Sequence, residues 1–176
     1  SFLAAPDVQL NTWTQLGGED YGKGYLFVRY VASRFGPDFV RDWLQRPENG
    51  LRGLNAALQA AGANVAADEV FKGWVVANLI GDNSRAPAEY QYDHLNFGPV
   101  TPQTLGNLPS DGQTMVSQYA ADYYSLDSSR SLHVEFTGTA KVRPIPSGPH
   151  SGEHYWWSGR ANHSDITLTR EFDLSA

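Results

Sequence analysis

One change of pattern constrains this 176-residue chain more than any other feature. From about residue 18 to 80 the apolar residues recur at helical spacing. After Asp82 they fall into short alternating runs broken by Pro, Gly, Ser and Asp. A chain that switches period in this way predicts two kinds of layer in sequence. The reading is α+β: a compact α-helical subdomain over residues 1–82, then an antiparallel β-sandwich-like domain over 83–176.

The helical half divides at its own stop signals. Tyr21, Tyr25, Val28 and Ala32 form one stripe, widened by Leu26, Phe27 and Tyr30, and the helix ends at Gly36-Pro37. Asp38 starts a short helix carrying Phe39, Trp43 and Leu44, closed by Pro47. Gly50 to Ala61 is a third, with Leu51, Leu54 and Leu58 on one face. Asp68 opens a fourth, with Phe71, Trp74, Val75 and Leu79 inward. Asp68 and Glu69, like Glu19 and Asp20, suit the positive end of a helix.

Asn83 to Pro87 reads as a linker. The segments Ala120–Leu126, Ser131–Phe136, Lys141–Ile145, His154–Ser158 and Ile166–Phe172 then read as strands. The last stops four residues before Ala176 with no partner after it, so the sandwich is expected to continue beyond the chain. Ser1 is not an initiator Met, and the opening residues are too short for a signal peptide. The chain is therefore expected to be a processed or cut piece.

Composition removes several function classes. A net charge of -6, a pI near 5.2 and the lack of any basic run argue against a nucleic-acid partner. No apolar run approaches the roughly 20 residues of a membrane span. With no cysteine there is no thiolate ligand, disulfide or cysteine nucleophile.

The series Leu10-Asn-Thr-Trp13, Tyr21-Gly-Lys-Gly-Tyr-Leu-Phe27, Arg34-Phe-Gly36, Phe71-Lys-Gly-Trp74 and Ala77-Asn78 resembles the helical region of gluzincin-type zinc metallopeptidases. The likeness is to the secreted bacterial peptidases related to immune inhibitor A. Trp157-Ser-Gly-Arg160 and the segment Asp165 to Leu174 resemble the beginning of that family's β-sandwich module. In such enzymes this region follows a His-Glu-x-x-His helix and a later Glu ligand. No His-Glu-x-x-His occurs here, so the resemblance implies the downstream part of a secreted or cell-surface peptidase. It implies zinc in the parent protein, an upstream peptidase segment as partner, a protein or peptide substrate, and no activity of this chain alone.

Tyr21-Gly-Lys-Gly24 is similar to the Tyr-x-Lys-Gly of gluzincin aminopeptidases, whose Tyr donates to the oxyanion. The resemblance therefore implies Tyr21 as an oxyanion donor. The plainer reading makes Tyr21 one more aromatic of the buried stripe, and Lys23 a solvated helix residue. His150-Ser-Gly-Glu-His154 matches an inverted zinc motif, but two prolines and two glycines between Ile145 and His154 oppose the helix that motif needs. Asp122, Asp127, Asp165 and Asp173 are candidate calcium ligands without a calcium-loop spacing, so turn aspartates are the default. A different class of function is a non-catalytic surface or adhesion module, with Trp156 or Trp157 stacking on carbohydrate.

Overall fold

The structure, a computed structural model, describes residues 1–13, 17–81, 85–93, 95–106, 108–128 and 131–138. The chain divides into two units, Ser1–Val134 and Glu135–Ala176, and of the second only residues 135–138 are described.

Among the described residues, four helices dominate the first unit: α1 Gly18–Phe35, α2 Pro37–Leu44, α3 Gly50–Ala60 and α4 Ala67–Ile80. Each end has a local cause. Gly36, at φ 90°, turns the chain out of α1 while its N–H still reaches the carbonyl of Ala32, and Pro37 takes the first position of α2. After α3, Gly62 at φ 68° lets its own N–H bond Gln59 and that of Ala63 bond Leu58, satisfying two end carbonyls. The first N–H of α4, on Ala67, is met from the neighbouring helix by the Asn55 side chain at 2.8 Å.

The core gathers around Trp74. Phe2 stacks on it, and Phe27 meets it edge-on, both with ring centroids 5.4 Å away. Val31, Leu54, Leu58 and Val70 fill the space between α1, α3 and α4. Such aromatic pairs add about 0.5–1.5 kcal/mol each beyond the area they bury.

The buried faces differ from the expected stripes. Along α1 the inward set is Asp20, Lys23, Leu26, Phe27, Tyr30 and Val31, whereas Tyr21 and Tyr25 are exposed. Leu79, expected inside, is exposed, and so is Leu44 of the second helix. The burial stripe of α1 begins with two charged residues, and hydrophobic spacing does not count those.

The antiparallel β-sandwich expected after residue 82 is overturned. The sheet found among the described residues is a parallel pair of three-residue strands, β1 Gln103–Leu105 and β2 Tyr124–Leu126, in register Gln103 to Tyr124. Only the end of the predicted strand Ala120–Leu126 is therefore a strand. Ser131–Phe136 is not one: Leu132, Val134 and Phe136 all lie exposed, so their alternation has no face to bury. The predicted strands Lys141–Ile145, His154–Ser158 and Ile166–Phe172 lie outside the described residues.

The chain beyond α4 instead packs back on the helices. Tyr90, Tyr92, Leu95 and Phe97 lie against the core, and Val100 N–H donates to the Asn78 carbonyl at 2.9 Å. Tyr92 and Tyr123 are the polar pins of this strap. The Tyr92 hydroxyl donates to Asn78 Oδ1 at 2.7 Å, and that of Tyr123 to the Val75 carbonyl at 2.9 Å. Burial raises the pKa of both phenols, that of Tyr123 to about 12.

A tyrosine in the unfolded chain ionises near pH 10. The stabilisation from these neutral phenols is therefore complete below about pH 10 and is lost as pH rises through about 12. Alkaline titration of phenolate absorbance is expected to show some of the nine tyrosines ionising only as the helical circular dichroism collapses. Reversible titration of all nine near pH 10, with the helices intact, would contradict this packing.

Where α1 crosses α4, Gly73 faces Tyr30. A Cβ at Gly73 would stand far inside van der Waals contact of the Tyr30 hydroxyl. That hydroxyl is not free to withdraw, because it donates to the Glu89 carbonyl at 2.6 Å. Gly73→Ala is expected to lower stability in urea by about 1–3 kcal/mol, the usual cost of overpacking. Adding Tyr30→Phe should recover part of it, since the clashing oxygen is then gone.

Candidate functional site

The first turn of α1 carries an arrangement that packing alone does not require. Its N-cap, Gly17, has no side chain, and Glu19 folds back over that position. Glu19 is held below the ordinary carboxylate range, first by a hydrogen bond from its own backbone. One residue on, Asp20 turns inward and pairs with Lys23, the two side chains being 1% and 2% exposed as residues. The Lys23 ammonium also donates to the carbonyl of Thr12, in the segment that leads into the helix. Lys23 is thus a buried ion-pair partner and not the solvated residue expected, and Asp20 is more than helix-start charge.

That segment is held at further points. Leu10 N–H donates to the Tyr119 carbonyl at 2.9 Å, and Thr12 N–H to Gln9 at 3.2 Å. Tyr119 stands at φ 53°, a backbone region uncommon for a residue with a side chain. Its hydroxyl donates to Asp68 at 2.9 Å, and its ring meets Phe71 edge-on.

On the outside of the same turn stands Tyr21, 71% exposed. Its ring meets Trp13, 54% exposed, at 4.7 Å between centroids and 84° between planes. No hydrogen bond among the described residues engages its hydroxyl. Tyr25, one turn along, is exposed too. Tyr21 is therefore not a member of the buried stripe, and its phenol is available to something outside the core.

No family model, curated protein or solved structure matches this chain.

Two clefts flank the segment. One of about 390 Å³ runs past Thr12, Gly17 and Glu19, and one of about 380 Å³ lies between Thr101, Gln103 and Asp122; both are bordered by Asp7 and Val8. Tyr21 lines neither. Asp7 accepts from Ser117 N–H at 2.8 Å, and Asp122 accepts from Thr114 at 3.1 Å. These carboxylates tie loops together, and among the described residues no group of three or more His, Asp or Glu could hold a metal ion. His150, His154, Trp156, Trp157, Asp165 and Asp173 lie outside the described residues. Among the described residues no helix is long and apolar enough to cross a membrane.

Sequence reasoning missed the Asp20–Lys23 pair and the Trp13–Tyr21 contact. The signal for the first was present: Asp-x-x-Lys places opposite charges on one helix face.

Proposed function

We propose that this chain is the helical wall of the substrate cleft in an exported peptidase of the gluzincin kind, with Tyr21 as a hydrogen-bond donor to the reacting peptide. The observation that carries the reading is the exposed phenol of Tyr21, which no hydrogen bond among the described residues engages, mounted on a helix start that carries a buried ion pair. The motif series from Leu10 to Asn78 supports it as a resemblance.

The described residues do not fit a zinc site. The metal of such a peptidase would therefore be held by a segment outside them. The step that falls to this chain is narrower. As water adds to a peptide carbonyl, charge collects on the carbonyl oxygen, and a preorganised O–H aimed at that position is worth far more there than in bulk water.

Protein expressed from the whole reading frame should cleave an unfolded protein substrate, lose that activity to a chelator and regain it with zinc. Cleavage that survives complete metal removal would contradict the reading, and so would the absence of any cleavage.

A second reading is favoured by the exposure of Trp13, Tyr21 and Tyr25 together. Here the chain is a non-catalytic surface module. In that case no cleavage is seen, and Trp13→Ala abolishes a binding activity.

A further inference from the structure

Lys23 is costly to bury and would be simple to replace. A buried ion pair can often be exchanged for apolar residues of similar volume with no loss of stability, so stability alone does not account for one. What the pair does here is local. The ammonium bridges Asp20 in the first turn of α1 and the carbonyl of Thr12. That carbonyl belongs to the planar peptide joining Thr12 to Trp13, so holding it restrains the backbone from which the Trp13 side chain departs. Trp13 in turn stands edge-on to the exposed ring of Tyr21, the ring contact that Tyr21 makes among the described residues.

We propose that Lys23 is a positioning residue: it orients the Tyr21 phenol through the Thr12 carbonyl and the Trp13 ring. The geometric part stands on these contacts alone, and only its effect on turnover rests on Tyr21 being the donor. A lysine suits the task because its ammonium offers three donors on one compact centre, of which a carboxylate and a carbonyl here take two. A methionine fills the same volume and grips neither.

The test is the double variant Asp20→Leu/Lys23→Met, which removes both charges together. Two-dimensional proton NMR of the 176-residue chain reads the Trp13–Tyr21 contact directly as ring-to-ring cross-relaxation. The expected result is loss of that cross-peak and a shift of both ring signals towards free-residue positions, with the remaining aromatic spectrum dispersed as in the parent. In the whole protein kcat should fall about tenfold or more with KM unchanged, the pattern of a misaimed group. A folded double variant that keeps the cross-peak overturns the proposal. If the double variant does not fold, Asp20→Asn decides, because it weakens the grip at nearly constant volume. Weakening of its cross-peak supports the proposal and an unchanged one overturns it. Loss of the cross-peak alongside unaltered turnover in Tyr21→Phe would retain the positioning role and reject Tyr21 as donor.

Discussion

Lys23→Met alone is expected to lower the unfolding free energy by about 3–5 kcal/mol, among the largest losses available to a single change in this chain. The reason is the partner left behind. Asp20 is 1% exposed, and without the ammonium it loses the opposite charge that faces it in a poor solvent. Adding Asp20→Leu should restore most of the stability, since the charge and its partner then leave together. Urea unfolding of both single variants and the double checks both statements. Additive losses in the double would show that the two residues are not coupled.

Tyr21→Phe has the opposite profile. The ring is largely exposed, its contact with Trp13 is kept, and no hydrogen bond among the described residues is lost, so stability should change by no more than about 0.5 kcal/mol. If the proposed reading holds, turnover of a peptide by the whole protein should fall about 100-fold, the usual cost of deleting one donor to a developing oxyanion, or about 2.7 kcal/mol of barrier. The loss belongs in kcat with KM little changed, because the bond forms fully only when the carbonyl becomes tetrahedral. A change in KM alone would assign Tyr21 to substrate binding instead.

The helices of the first unit were legible because their signals are local. Gly36-Pro37, Pro47, Gly50 and Asp68 punctuate the chain within three residues of where α1 to α4 begin or end. The inward face of α1 was not legible in the same way. Its stripe starts at Asp20 and Lys23, whose i,i+3 spacing shows that they can pair but not that the pair faces inward. Leu44 and Leu79 fall outside for the converse reason: apolar character permits burial without compelling it.

Strands are harder still, since alternation at Leu132, Val134 and Phe136 becomes a strand only if another segment pairs with it. That pairing is non-local. The same holds for the site. Tyr21 at a helix start could be read from Tyr21-Gly-Lys-Gly24, but its exposure and its contact with Trp13 are set by the folded chain and not by that motif.

A tetrahedral phosphonate analogue of the cleaved peptide tests the role of Tyr21 most directly, because its anionic oxygen occupies the place of the oxyanion. Its Kd for the whole protein is to be compared with that for Tyr21→Phe, alongside the Kd of the product peptide. If Tyr21 donates to the oxyanion, the analogue binds the variant about 100-fold more weakly, matching the fall in kcat, while product affinity is unchanged. Equal affinity of both proteins for the analogue would contradict that role.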